Sequence, residues 1–496
     1  MPRLLLIFCF ALPAVILNAQ FSGHNLIEFQ YGKMPDEDES MFPALYNRGL
    51  ADYHAGSFRA GLTLEQFYTP FSNRNLTSLA QFRLHYLSGP LEVRAGNFYE
   101  TLGRGLLLRS YEIHGALLEE KSYRARHYFH RDISGASVRF RKNNLSAKVL
   151  YGKPLNNAFP PGMDIPGRRP DDIAALQSGY SFKRQIAGAS VLMLQNESGI
   201  RWYGMVNLSG NLGNNLSYHT EIARRIDDRP PGDFSQHASF AFYGSLNFSF
   251  NSLGLSMEYK NYNDFQLGAG FNEPPSLVKD HSYRLLNRST HVSQALNEKG
   301  YQAEAFWMLP DASVLTLNHT IAVNDFEKLF VFREYYVEYS GGPAGRHDIK
   351  IFADLAQDPI KQESARVTAG AYAGWRAGRT LILSTDLEFQ RFDRADYPVR
   401  NILASVGASA GSRLSASLVM ELSDDPFLSE ETADTPLAAD TAKRIWLGGN
   451  VAYRIKNNHN LQVFGGQRRG GPACHSGVCY DILGFTGVEV RLTSRF

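Results

Sequence analysis

Val488-Glu489-Val490-Arg491-Leu492-Thr493-Ser494-Arg495-Phe496 closes the chain. Val488, Val490, Leu492 and Phe496 fall on one parity, and Glu489, Arg491, Thr493 and Arg495 on the other. Successive side chains of a strand point to opposite faces, so one face is apolar and the other polar or charged. A strand of a soluble sheet has this pattern. So does the closing strand of an outer-membrane β-barrel, with lipid on one side and a wet lumen on the other. In that case Val490, Leu492 and Phe496 are the expected assembly signal. The rest of the chain decides between the two.

The same alternation recurs upstream. Ala80, Phe82, Leu84 and Tyr86 oppose Gln81, Arg83 and His85; Leu216, Tyr218, Thr220 and Ile222 oppose Ser217, His219 and Glu221. Leu255, Met257 and Tyr259 oppose Ser256, Glu258 and Lys260; Leu387 and Phe389 oppose Asp386, Glu388 and Gln390. Around residue 149, Leu145, Ala147, Val149 and Tyr151 keep the pattern and Leu150 breaks it. A period of two sustained this often signals strands.

The connections alternate in length. Tight links rich in Gly, Asn, Ser and Pro sit at 55–57, 88–90, 142–144, 183–185, 210–214, 250–253, 310–312, 341–346, 376–378, 410–412 and 456–458. Such residues suit hairpin turns. Between them lie longer connections, among them 68–75, 97–133, 153–172, 225–236, 263–299, 391–400, 422–443 and 468–479. Short turns at one end and long loops at the other are the habit of outer-membrane barrels. Two strands per tight link, with the runs 24–31 and 488–496 added, predict an antiparallel, all-β transmembrane barrel of about 24 strands, within roughly 20–26. That count requires the stretch 104–112 to lie outside the wall.

Arg3 followed by the apolar run 4–17 and Leu17-Asn18-Ala19 reads as a cleaved signal peptide over 1–19. A single barrel domain is expected over 20–496, in the bacterial outer membrane. No soluble N-terminal plug domain is expected, because strand-like sequence follows the signal directly. Mean hydropathy is −0.28, which alternation allows in a membrane barrel. Aromatics at 12% and Gly 43 fit interfacial girdles and turns. The net charge of +2 argues against a nucleic-acid partner. Cys9 falls in the signal, leaving Cys474 and Cys479 for one disulfide in an exported chain. With His475 they make too few ligands for a closed zinc site.

A lumen this wide is often plugged. The expected plug or constriction is 97–133, with Tyr99, Glu100, Arg104, Arg109, Arg124, Arg126, His127, His130 and Arg131 facing the pathway. The competing reading pairs its arginines with Glu100, Glu112, Glu119, Glu120 and Asp132, whose charges nearly balance them. Gly103-Arg104-Gly105 is too short for a phosphate loop. The segments 263–299 and 422–443 are expected to be long outside loops. The first carries Asp280, His281, Ser289 and His291, but neither Gly-x-Ser-x-Gly nor His-Glu-x-x-His, so no catalytic residue is expected. The acids of the second do not have Ca²⁺-loop spacing and read as solvated surface charge. No metal or cofactor is expected.

The runs 96–112, 272–291 and 470–496 resemble a family of exported barrel proteins of Bacteroidota known as a domain of unknown function. The last run carries most of the likeness, with Gly470-Gly471-Pro472-Ala473-Cys474-His475-Ser476-Gly477-Val478-Cys479-Tyr480 and then Leu492-Thr493-Ser494-Arg495-Phe496. The resemblance implies an outer-membrane barrel over nearly the whole mature chain and brings no activity with it. The expectation is a channel or transporter-like barrel with a loop-constricted, hydrated lumen. The alternatives are a non-conducting scaffold of a secretion or surface-assembly system and, behind it, an outer-membrane enzyme. Implied partners are outer-membrane lipid, the barrel-assembly machinery, a small polar solute, and a protein docked on the outside loops.

Overall fold

The computed structural model describes residues 19–33, 40–119, 126–155, 168, 170–226, 239–292, 296–342, 347–428, 443–475 and 478–496. Alternating sequence becomes strand throughout: 24 strands form one antiparallel sheet, each paired with its neighbour in the chain. The sheet closes where Ala19–Lys33 meets Phe485–Arg495, in register from His24 opposite Arg495 to Gly32 opposite Gly487. Closure leaves no unpaired sheet edge. The tight links predicted from sequence lie at one end of the barrel, the end where Phe496 bonds the backbone of Gly23, apart from 341–346, of which 343–346 lie outside the described residues.

Residues 104–112 do stay out of the wall. The strand Leu91–Phe98 pairs directly with Ile133–Lys142, so 99–132 leaves the sheet and returns beside its point of departure. Within it Thr101–Leu102 pairs with Leu108–Arg109, and Tyr111–Glu119 with Arg126–Arg131.

Three connections differ from expectation, the third being the cysteine loop 468–479, expected to stand outside and described in the next section. The predicted loop 391–400 is a two-residue turn at Ala395 and Asp396, both with positive φ (46° and 70°). Pro398 suggests a break, yet it sits at the start of the strand Tyr397–Ala410, opposite Asp393, where a proline is tolerated. The predicted outside loop 263–299 does not stand clear of the wall, as the next section describes. Of 422–443, residues 429–442 lie outside the described residues, as does all of the expected signal peptide except Ala19.

The wall is inverted relative to a soluble protein. On Leu381–Arg394, Leu387 is 53% exposed while its neighbour Glu388 is 2% exposed. Leu62 and Leu64 are exposed where Thr63 and Glu65 are buried. Polar residues therefore face inward, and apolar ones form the outer surface.

Candidate functional site

The inner face is covered by three segments, described over 99–119 and 126–132, over 264–292, and over 469–475 and 478–484. Their burial begins with an irregularity visible in the sequence. Leu150 breaks its strand's alternation because it faces inward. Ile173, Leu192, Leu194 and Met205 are inward and buried as well. Leu102, Leu106 and Leu107 from the first segment and Phe265, Leu267 and Phe271 from the second complete this cluster. Each fully buried Leu or Phe side chain contributes about 1.5–3 kcal/mol. This apolar patch holds two loops against the wall, and smaller clusters around Phe67 and Phe352 add to it.

Around the patch, ion pairs and hydrogen bonds tie the first segment down. The buried Glu100 accepts from Lys148 at 2.9 Å, and both its oxygens accept from Arg139 Nη2, at 3.1 and 3.0 Å, with Arg94 3.6 Å away. Three neighbouring wall strands thereby converge on one loop carboxylate. The Arg104 side chain is exposed. Its backbone N–H donates to both oxygens of Glu221 at 2.9 Å. The flanking glycines make that approach possible. A Cβ on Gly103 would stand 2.4 Å from Glu221 Oε2, and one on Gly105 2.3 Å from the Glu273 carbonyl oxygen. Gly103 and Gly105 both have positive φ, so glycine is the residue for both positions.

Tyr99 donates to Glu112 at 3.2 Å and accepts from Gln81 at 2.9 Å. Tyr111 donates to Glu273 at 2.9 Å. Burial raises both hydroxyls well above the ordinary tyrosine value, which keeps them neutral donors. Arg109 and Arg131 both reach Glu273 of the second segment. Arg126 pairs with Glu119 and with Glu28 of the first wall strand. His127 lies 3.2 Å from the wall residue Glu65, which also accepts from the Tyr128 N–H at 2.7 Å. Burial lowers the pKa of His130, so this ring is not the counter-charge of Asp132. That role falls to Arg168. Arg124 lies outside the described residues.

The second segment reaches furthest. Lys279 pairs with Glu304, His281 meets Glu334 at 3.1 Å, and Tyr283 donates to Glu338 at 2.7 Å. The short helix Arg284–Arg288 begins on Glu388, which accepts from the N–H groups of Arg284 and Leu285 at 2.9 and 2.8 Å. Arg284 and Arg288 both pair with Glu421, and His291 meets Asp358 at 2.9 Å. All of these acceptors lie on the inward face of the wall. This corrects the expectation of an outside loop. In the sequence the segment is polar and proline-containing, which suits a solvated loop; the charges that receive it lie many strands away along the chain.

The cysteines do form a disulfide, Cys474–Cys479, in the hairpin Gly471–His475 with Val478–Ile482. Its loop was expected to stand outside; instead it touches both other segments. Asn287 donates to the Cys474 carbonyl at 2.7 Å and accepts from its N–H at 2.8 Å. Tyr480 meets Phe129 edge-on at 5.4 Å, and the Leu483 N–H donates to Glu119 at 3.0 Å. Closing a loop with a sequence separation of 5 contributes about 2 kcal/mol to such a hairpin. Reduction is therefore expected to leave the barrel folded, judged by heat-modifiable gel migration, while protease cuts 471–482 faster. An unchanged cleavage rate would show that the staple holds nothing.

A family of unknown function (DUF6029) matches residues 45–158. The resembling run 96–112 lies within that match, and the runs 272–291 and 470–496 lie beyond it. Among curated proteins, none matches the chain. In structure, the P pilus usher (PapC) translocation pore aligns with 96% of this chain and 99% of its own, at a TM-score of 0.50 and 10% identity. The barrel has the usher-pore fold. An E. coli P pilus tip assembly intermediate, PapC-PapD-PapK-PapG, aligns with 98% of this chain and 62% of that one, at 0.52 and 11%. The outer membrane protein OpdK of Pseudomonas aeruginosa aligns more loosely, at 0.38 and 11% over 74% of this chain and 99% of its own.

Proposed function

We propose that this protein is an outer-membrane channel held shut at rest by its own loops. The supporting observation is the placement of 99–132, 264–292 and 469–484 on the inward polar face of a closed 24-stranded wall. The chain would be exported through a cleaved signal peptide and inserted with Val490, Leu492 and Phe496 as its assembly signal. Tyr99, Glu100, Arg126 and His127 would then act as latches between plug and wall, Arg109 and Arg131 would tie the two loops together through Glu273, and His130 would bond within its own loop. Arg104, with its exposed side chain, is the member of the set presented to a passing polar solute. We assign no catalytic residue.

The lipid side of this reading has its own check. Leu387→Arg is expected to destabilise the barrel in bilayers by about 2–4 kcal/mol, the cost of a cation on the lipid face near mid-membrane. A neutral result in folding titrations would place that face in water. The channel itself is tested by single-channel conductance.

A second reading takes its support from the overlay with a translocation pore along almost its full length. A barrel of this fold would pass or hold a polypeptide, with the loops displaced by the cargo. A stoichiometric protein partner on purification, with no solute flux before or after loop removal, would favour it.

A further inference from the structure

Among the acceptors that receive the second segment, one cluster keeps buried polar atoms that no described residue satisfies. Glu334 on the strand Lys328–Gly341 and Asp354 on the strand His347–Asp358 are diagonal neighbours on the inward face, with Tyr336 opposite Asp354 in the register. Asp354 is 0% exposed and Glu334 1%. His281 descends onto them from the second segment and is buried too.

Arg366 lies to one side of this trio. Its guanidinium is 3.3 Å from Glu334 Oε1 and 3.4 Å from Asp354 Oδ1. The other oxygens, Glu334 Oε2 and Asp354 Oδ2, have no hydrogen-bond partner among the described residues, and neither has His281 Nδ1. Buried carboxylate oxygens without partners are costly. Glu334, Asp354, Glu363 and Asp425 are linked through Arg366 and Arg394, with the half-buried Lys361 facing Glu363 and Arg469 facing Asp425; none of these cations reaches the free oxygens of Glu334 and Asp354.

We propose that His281, Glu334 and Asp354 bind a divalent transition-metal ion that pins the second segment to the wall. One donor atom from each lies within 4.8 Å of the others. Ligand bonds of about 2.0–2.2 Å allow separations up to roughly 4.2 Å, so side-chain shifts of about half an ångström close the site. One imidazole nitrogen with two carboxylates suits Zn²⁺ or Mn²⁺. Ca²⁺ and Mg²⁺, which prefer oxygen-only sites, fit less well. Water completes the coordination. The ion joins one loop residue to two wall strands, so it stabilises the plugged arrangement without depending on whether the barrel conducts.

The test uses the full-length protein in detergent, stripped with EDTA and dialysed against Zn²⁺ or Mn²⁺. Metal content and the unfolding temperature are measured for wild type, His281→Gln and Asp354→Asn. The proposal expects one equivalent per wild-type chain, a raised unfolding temperature, and affinity lowered by more than about tenfold in each variant. Wild type with no bound metal and no thermal shift overturns it, and protons then balance the cluster. Retention of one equivalent in both variants also overturns it, by placing the ion elsewhere. If Asp354→Asn fails to fold, the visible spectrum of Co²⁺-loaded wild type decides. Bands of a mixed nitrogen–oxygen site that are absent from His281→Gln support the assignment, and identical spectra reject it.

Discussion

Replacing 101–131 and 266–291 together by short Gly-Ser linkers is expected to turn small or absent current steps in planar bilayers into large ones. Either replacement alone should give an intermediate result. The reason is geometric: the first segment covers the wall from Glu28 round to Glu221, and the second continues from Tyr262 to Glu421. They meet where Asn272 donates to the Leu106 carbonyl at 3.1 Å and where Arg109 and Arg131 share Glu273. Folding should survive, because closure rests on the strand ladder from Ala19–Lys33 to Phe485–Arg495. The exposed patch of Leu150, Ile173, Leu192, Leu194 and Met205 should lower thermal stability without opening the sheet. Conductance that is absent from wild type and from the double replacement, in protein with folded gel migration, would remove the channel reading and leave the partner-binding one.

The wall was legible because it depends on a local rule. Alternation marks the strands, turn residues mark one rim, and parity at Val488–Glu489 already separates the outer face from the lumen. The place of the first segment was legible for a different reason: its length and the wide lumen pointed inward, while its nearly balanced charges pointed to the competing reading of internal pairing. The second segment was not, because its destination is non-local. His281, Arg284 and Arg288 find Glu334, Glu388 and Glu421 only once the barrel has curved those strands to face them. The sequence held one weak sign. Leu150, an apolar residue on an inward parity, needs a partner inside the lumen, and Ile173, Leu192, Leu194 and Met205 repeat that signal. Inward apolar positions in a barrel strand point to a plug more directly than the loop's own composition does.

Arg366→Met is expected to be the most destabilising single change in the wall. The guanidinium is 1% exposed and contacts Glu334, Asp354 and Glu363, while donating to the Ser289 carbonyl at 2.8 Å. Removing one partner of a buried ion pair typically costs about 3–5 kcal/mol, because the remaining charge is left without water or counter-charge. The comparison is Arg400→Met, whose partner Asp424 lies at 3.2 Å in an exposed pair and should matter by about 0–1 kcal/mol. Urea unfolding in lipid vesicles separates the two. Equal, small losses would mean that the inner network is solvated and that the second segment is held by its apolar contacts instead. A large loss that added Zn²⁺ partly reverses would tie Arg366 to the bound ion. Both would then be neutralising the same carboxylates from opposite sides, and the segment's grip on the wall would be set by how many cations the cluster holds.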